Sequence, residues 1–357
     1  MSVSKRSFQF VVWFILLVFA FVSLACTGGG SGSGSVSLQG AGATFPNPLY
    51  QKWLSEYGKL HSNVRIDYQS IGSGGGIKQL KEQTVDFGAS DAPMKDDDLK
   101  AAPGEVLHIP TVLGAVVITY NLQGVSQALR FSPDIIADIF LGKIKKWNDP
   151  KIVADNPGVT LPANDITVVH RSDGSGTSAV FTDYLSKVSP EWKEKIGSGT
   201  SPSWPTGIGG KGNEGVTGQV KNTPNTIGYV ELAYAVQNKL PVAQIKNASG
   251  NFVEPSIDAV SAAAAGSAAN TPEDLRVSIT NASGAQAYPI SSYTYILVYK
   301  EQKDAAKGKA LVDFLWWGIH DGENFAKELQ YAPLPDDIVK RAEGKISSIT
   351  SGGKALR

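Results

Sequence analysis

The stretch His170-Arg171-Ser172-Asp173-Gly174-Ser175-Gly176-Thr177-Ser178 constrains the fold more than any other part of the chain. Just before it, Ile166, Val168 and His170 alternate with their neighbours, the period of a β-strand. Just after it, Ala179-Val180-Phe181-Thr182-Asp183-Tyr184-Leu185 reads as a helix. Ser175, Gly176 and Thr177 therefore sit where a strand hands over to a helix. A helix start presents unpaired backbone N–H groups and the positive end of the macrodipole. Glycine lets a ligand approach that backbone closely. Ser175 and Thr177 add hydroxyl donors, and Arg171 adds a planar, permanently charged fork suited to an oxyanion. Each part fits a small anion. An ordinary capped helix with a surface arginine accounts for the same residues.

A second unit of this kind lies upstream. Val64, Ile66 and Tyr68 alternate as a strand, Ile71-Gly72-Ser73-Gly74-Gly75-Gly76 follows, and residues 77–83 read as a helix. It is neither a Walker A loop nor a dinucleotide fingerprint, because Ile77 stands where the third glycine belongs. Gly207-Ile208-Gly209-Gly210-Lys211-Gly212 lacks a Ser or Thr after its lysine and reads as a structural loop. Leu49, Trp53, Tyr57 and Leu60 recur at helical spacing and predict a buried face. Thr44 and Phe45 precede that helix, so their N–H groups face outward from its start. Asp91 ends a short strand, where open α/β sheets place ligand groups; capping the next helix is the alternative role.

Residues 108–121 form a long apolar run that predicts a buried strand into a second domain, and residues 292–299 predict the return strand. Residues 133–141 and 310–318 read as helices with apolar faces, and Ile227-Gly228-Tyr229-Val230 as a short strand before another helix. Strands alternate with helices, so the fold class is α/β with mainly parallel pairing. A chain of 357 residues is long enough for about two domains. The late return strand fits two α/β lobes with a ligand cleft between them.

Composition narrows the function. Lys plus Arg number 33 and Asp plus Glu number 33, so formal net charge is zero. That argues against nucleic acid or an anionic membrane surface as a bulk electrostatic partner. Lys143, Lys145 and Lys146 beside Trp147 read as a solvated surface. A bound anion must be held by local dipoles and a few side chains. Asp173 stands where a Gly-x-Ser-x-Gly nucleophile motif needs its first glycine, and no His/Cys/Asp cluster has metal-ligand spacing. Neither an enzyme nor a metal or cofactor is expected.

The N-terminus is a targeting segment. Lys5 and Arg6 precede an almost wholly apolar run over residues 8–24. Ser23-Leu24-Ala25-Cys26 then ends at the only cysteine of the chain and resembles a bacterial lipobox. There the signal is removed and the new N-terminal Cys26 carries lipid; an uncleaved transmembrane anchor is the alternative. Residues 27–35, all Thr, Gly or Ser, form a flexible tether of roughly 15–18 Å. Asn247-Ala248-Ser249 and Asn281-Ala282-Ser283 match a glycosylation acceptor and read as chance in this context.

Residues 40–46, 71–76, 85–93, 141–147, 173–178, 207–213, 227–231 and 331–335, taken together and in order, resemble the periplasmic phosphate-binding protein of the bacterial high-affinity phosphate ABC transporter. The resemblance runs from about Gly40 to about Ile338. It departs at the lipobox, the tether and a divergent stretch over residues 245–287. It implies a two-lobed, type II Venus-flytrap fold with two crossing segments. The signal peptide would be residues 1–25, the lipidated Cys and tether 26–36, one lobe 37–112 plus 290–357, and the other 113–289. It implies the ligand set as well. Thr44, Phe45, Ser73, Arg171, Ser175, Gly176 and Thr177 would hold inorganic phosphate, Asp91 would accept the ligand's proton, and Asp173 would fix the Arg171 guanidinium. The implied partners are phosphate, a permease with its ATPase, and a membrane reached through the lipid anchor. The implied location is outside the cytoplasmic membrane. Another oxyanion on the same fold, or a phosphate-ester hydrolase using Ser175, are the competing functions.

Overall fold

The computed structural model describes residues 35–357; the apolar N-terminal run, Cys26 and the tether up to residue 34 lie outside the described residues. Among the described residues no helix is long and apolar enough to cross a membrane.

Strands β1 (Val36–Gly42), β2 (Val64–Ser70) and β3 (Phe87–Ser90) pair in parallel with β1 central. The long apolar run becomes β4 (Val106–Asn121), a single strand buried along nearly its whole length. After β5 (Arg130–Phe131) come β6 (Thr167–Arg171), β7 (Ile208–Gly210) and β8 (Thr226–Glu231), in which β6 pairs in parallel with both neighbours. β9 (Gln244–Lys246) and β10 (Phe252–Val253) join β5 in a small separate sheet, and β11 (Ser291–Tyr299) returns to the main one. The main sheet has eight strands in the order β2-β1-β3-β11-β4-β8-β6-β7.

The pairing expected to be mainly parallel is parallel only at the two flanks. At the centre β4 and β11 run antiparallel to each other, β11 is antiparallel to β3, and β4 is antiparallel to β8. β4 changes partner along its length: Val106 to Ala115 lie in the ladder with β11, and Val116 to Asn121 in the ladder with β8. Two parallel α/β halves are thus stitched by one strand leaving and one returning. The β4/β11 ladder slips at Thr294/Tyr295, where Tyr295 pairs with Pro110 and Thr294 with Val112. Pro110 has no N–H to give a central ladder, and a bulge is where such a proline is tolerated. A bulge also re-aims side chains, and here it turns Thr294 toward the end of β3.

Glycines set the close packing on β1. A Cβ on Gly76 would lie 2.5 Å from Ala41 O and from Gly42 Cα. The helix Ser73–Lys81 can therefore sit directly on the ends of β1 and β3. The run Ser73-Gly74-Gly75-Gly76, read as a turn ahead of the helix, is the first turn of the helix itself. Glycine costs about 1 kcal/mol per residue relative to alanine inside a helix, and here that cost is offset by backbone contact no larger residue permits.

The helix Asn47–Leu60 buries Leu49, Tyr50, Trp53 and Tyr57. Leu60, expected on that face, is 66% exposed. It is the last helical residue, and the ring of His61 stacks on Tyr57 at 4.2 Å just beyond it. Trp53 anchors this helix. Its indole is 1% exposed, donates to Gly322 O at 2.8 Å, and meets Tyr50, Phe314 and Trp317 at ring separations of 5.5, 6.4 and 6.3 Å. Trp53→Ala is expected to lower stability by about 3–5 kcal/mol. Urea denaturation followed by circular dichroism checks this, and a loss under about 1 kcal/mol would mean the cavity collapses freely.

Candidate anion-binding site

Three strand ends and three helix starts meet at one point. β6 ends at Arg171, and Ser175 caps the helix Gly176–Val188, its Oγ accepting the Ser178 N–H at 2.9 Å. The next amide in the ladder, Ala179 N–H, donates to Ser175 O at 3.0 Å. Gly176 and Thr177 are the first two residues of that helix, so their amides have no acceptor within it. β3 ends at Ser90, which places Asp91 beside Ser73, the first residue of its own helix; Asp91 N–H donates to Ser73 Oγ at 3.3 Å. β1 ends at Gly42, and Thr44 and Phe45 follow just ahead of the helix Asn47–Leu60.

The structure brings all nine expected residues together. Thr44, Phe45, Ser73, Asp91, Arg171, Ser175 and Thr177 are each no more than 3% exposed, and Gly176 is buried as well. The two halves of the fold touch here. A Cβ on Gly176 would lie 2.3 Å from Ser73 Oγ and 2.5 Å from Asp91 Oδ2, so only glycine admits this approach. Gly74 N–H donates to Gly174 O at 2.9 Å across the same seam.

Arg171 is held rather than free. Its Nε donates to Asp173 Oδ1 at 2.8 Å and its Nη2 to Asp173 Oδ2 at 2.5 Å, a bidentate fork, while Nη1 reaches Thr177 Oγ1 at 3.3 Å. Burial disfavours the Asp173 carboxylate, but the Arg171 hydrogen bonds and charge, with the Gly212 N–H, outweigh it and hold its pKa below the usual range. Asp173 thus holds the Arg171 guanidinium in one orientation.

Asp91 does not cap the following helix, whose N-cap Lys95 makes no side-chain cap. Its Oδ1 accepts from Thr294 Oγ1 at 2.9 Å and its main-chain O from Ser292 Oγ at 3.1 Å. Its Oδ2 is buried and has no hydrogen-bond partner among the described residues. Burial pushes its pKa up to about 7, against the opposing pull of Thr294, the Arg171 charge and Ser73. The cluster therefore offers several donors and one acceptor with a spare oxygen, itself poised between charged and neutral near neutral pH.

Sequence reasoning missed four residues of this site. Asn213 directly follows the stretch over residues 207–212 read as a structural loop, which instead forms β7 and the start of the helix Gly212–Asn222. It is fully buried and bridges the halves: its Nδ2 donates to Thr44 Oγ1 at 2.8 Å and to Thr177 Oγ1 at 3.1 Å, and its Oδ1 accepts from Glu231 N at 2.9 Å. The signal available was a third strand, glycine turn and helix start, like the other two. Thr294, marked only by a run of hydroxyls in an apolar strand, orients Asp91. Tyr234 and Tyr331 donate to the carbonyls of Thr44 at 2.6 Å and Phe45 at 2.7 Å, fixing the peptide planes at that helix start.

Other expectations resolve on structural grounds. Lys143 and Lys146 are exposed and paired with Glu191 and Asp165. The Asn247 amide is buried and donates to Gly284 O, Ala285 O and Ala287 O, each at 3.1 Å, which removes it as a glycan acceptor.

A raised acid pKa stabilises the fold below the unfolded value and loses that contribution as pH rises through the folded one. For Asp91 the window runs from about 4 to about 7. Asp91→Asn is thus expected to stabilise the closed arrangement, in which Asp91 is buried, at about pH 8 by on the order of a few kcal/mol, with the gain vanishing near about pH 4. Thermal unfolding at the two pH values checks it; a gain independent of pH would contradict the assignment.

A family model described as the PBP superfamily domain matches residues 28–316 of the chain. The phosphate-binding protein PstS of Xylella fastidiosa (strain 9a5c) is 49% identical over 307 residues, covering 86% of this chain and 84% of that protein. PstS of Pasteurella multocida (strain Pm70) is 46% identical over 323 residues, covering 90% and 93%. Among solved structures, a high-affinity periplasmic phosphate-binding protein bound with phosphate (PfluDING) superposes with a TM-score of 0.68 at 20% identity, covering 89% of this chain and 97% of that one. An ABC-type phosphate transport receptor from Vibrio cholerae gives 0.55 at 17% identity, covering 84% and 100%. At these identities the structures speak to the fold, which is the two-lobed α/β architecture with two crossing segments.

Proposed function

The chain belongs to the phosphate-binding protein family of the PBP superfamily, and from that premise we propose that it captures inorganic phosphate outside the cytoplasmic membrane and delivers it to an ABC permease for import. One observation carries this reading: among the buried donors of the cage, the carboxylate oxygen Asp91 Oδ2 has no hydrogen-bond partner among the described residues.

In this reading Thr44, Phe45, Ser73, Arg171, Ser175, Gly176 and Thr177 donate to phosphate oxygens. A carboxylate beside an anion is repulsive in a dry site unless the ligand carries a proton for it to accept. Phosphate near neutral pH keeps at least one proton, and sulfate has none. With phosphate, Asp91 gains a charge-assisted hydrogen bond; with sulfate it faces lone pairs. A site that leaves a buried polar group unpaired rejects the wrong ligand by roughly 10⁴–10⁵.

The cage residues are too buried for a ligand to enter without movement. We read residues 37–112 with 290–357 as one lobe and 113–289 as the other, hinged where β4 exchanges β11 for β8. The protein acts without turnover and without a metal or cofactor. In support, Ser175 Oγ is engaged in a helix cap, and the His170 ring stacks on Trp204 at 5.0 Å with Nδ1 at its neighbour's carbonyl. Residues 1–25 are the proposed signal peptide, with Cys26 lipidated and tethering the body to the membrane near the permease and its ATPase.

Calorimetric titration tests the ligand. Wild type is expected to bind phosphate and arsenate and to discriminate against sulfate by about 10⁴ or more. Sulfate within about tenfold of phosphate would refute the role of Asp91. Asp91→Asn is expected to shrink the discrimination, since an amide can offer an N–H to a fully ionised oxyanion. Arg171→Ala is expected to weaken phosphate binding by about 3–5 kcal/mol, because it leaves Asp173 as a largely buried charge without its partner. For the anchor, mass spectrometry of the mature N-terminus should find lipid on Cys26, and Cys26→Ser should abolish it; an unmodified Cys26 would defeat that part.

A further inference from the structure

A line of buried hydroxyls runs behind Asp91, through Thr294 and Thr111 to Tyr50. Thr294 Oγ1 meets Asp91 Oδ1 at 2.9 Å. Thr111 Oγ1 lies 3.2 Å from Thr294 O and 2.8 Å from the Tyr50 hydroxyl. A carbonyl only accepts, so the single hydrogen of Thr111 goes to Thr294 O, and Tyr50 donates to Thr111. The reverse order would turn the lone pairs of Thr111 onto the Thr294 carbonyl. The line passes through the β4/β11 bulge. Tyr295 pairs with Pro110 and Thr294 with Val112, so Thr111 is the extra residue of β4. Pro110 brings no N–H to that ladder, and the Thr111 side chain supplies a donor there. At the other end, Tyr50 lies in the first turn of the helix Asn47–Leu60, its N–H donating to Pro46 O at 2.9 Å, just beyond Thr44 and Phe45. Its ring is held separately, against Trp53 at 5.5 Å and Tyr68 at 5.3 Å.

We propose that Tyr50 and Thr111 are positioning residues of the anion site: their hydroxyls pin the β4/β11 bulge and so tie the aim of Asp91 to the helix start that presents Thr44 and Phe45. The acceptor of the site and two of its donors are then set against each other by one chain of hydrogen bonds. Asp91 discriminates between anions only while its carboxyl points at the ligand, so a bulge free to relax would blunt that discrimination. Residues 50, 91, 111 and 294 all fall in the lobe read as 37–112 plus 290–357, so the tie does not wait for closure. The inference rests on the phosphate reading and adds to it two residues that hold Asp91 through Thr294.

The test is the ratio of phosphate to sulfate affinity, with phosphate titrated by calorimetry and sulfate by displacement of bound phosphate, alongside urea denaturation of each variant. Tyr50→Phe keeps the ring and removes one link; the ratio is expected to fall about threefold. Thr111→Val removes both links and is expected to lower it about tenfold, through weaker phosphate binding with sulfate unchanged. Thr111→Ser restores the hydroxyl and should return the ratio to within about twofold of wild type. The double variant Tyr50→Phe with Thr111→Val separates positioning from packing. Thr111→Val strands the buried Tyr50 hydroxyl, so adding Tyr50→Phe should recover stability while the ratio stays at the low value of Thr111→Val. Ratios within about twofold of wild type in Thr111→Val, equal weakening of both anions, or a ratio that recovers together with stability would overturn the positioning role and leave the phosphate reading intact. Failure of Thr111→Ser to restore the ratio would overturn it too. A wild type that takes up no phosphate overturns both.

Discussion

The buried fork between Arg171 and Asp173 decides how this site attracts an anion. The pair is closed in bidentate geometry, so the one permanent cation of the cage is already matched. Asp91 adds a carboxyl that is neutral or negative, never positive. The local formal charge is therefore zero or −1 before any ligand arrives, and the whole chain is neutral too. Attraction must come from oriented dipoles: first-turn amides, hydroxyls and the outward edge of the guanidinium. Each hydrogen bond to a charged group contributes about 1.5–3 kcal/mol net. Half a dozen preset donors outweigh the missing net charge, provided none has to be reoriented and water is kept out.

That proviso explains the packing behind the cage. Tyr234 and Tyr331 hold the carbonyls at 44 and 45, Thr294 holds Asp91, and Tyr229 OH accepts the Arg171 N–H at 3.1 Å while pairing with Ser178 Oγ at 2.6 Å. These supports come from β8, the helix Leu232–Gln237 after it, β11 and the segment that follows the helix Ala305–Gly318, elements distant in sequence from the groups they orient. The β4/β11 bulge belongs to the same system, because without it Thr294 would point along the regular pleat instead of at the end of β3.

What could be read from the sequence follows from this division. Strand-to-helix junctions with glycine and hydroxyl residues are local signals, and they identified residues 44–45, 73 and 171–177. The two crossing segments were legible as apolar runs. The expectation of mainly parallel pairing did not single out the antiparallel centre, since the pairing of β4 with β11 depends on a partner about 180 residues away in the chain. Leu60 kept the helical phase yet is exposed, because phase says nothing about where a helix runs out. Asn213, Thr294 and the two tyrosines were illegible for a stronger reason. Their residue types are ordinary, and their function is to point at something contributed by another segment. That the junctions converge on one anion came from resemblance, not from periodicity.

Closure and chemistry are then one event in this fold. Gly176 approaches Ser73 and Asp91 across the seam with no room for a Cβ, and Asn213 reaches Thr44 from the opposite half. In an open form the donors of each half would face water, with hydroxyls free to rotate and Asp91 solvated toward the ordinary carboxylate range. On the proposed closure, burial would raise the Asp91 pKa and the water that otherwise screens every contact would be expelled. A ligand shifts a two-state equilibrium only by its differential affinity for the two states. On the proposed closure each open half-site would lack the second set of donors, so nearly all discrimination would reside in the closed state. The wrong anion need not bind weakly to each half; it only has to fail to stabilise their meeting.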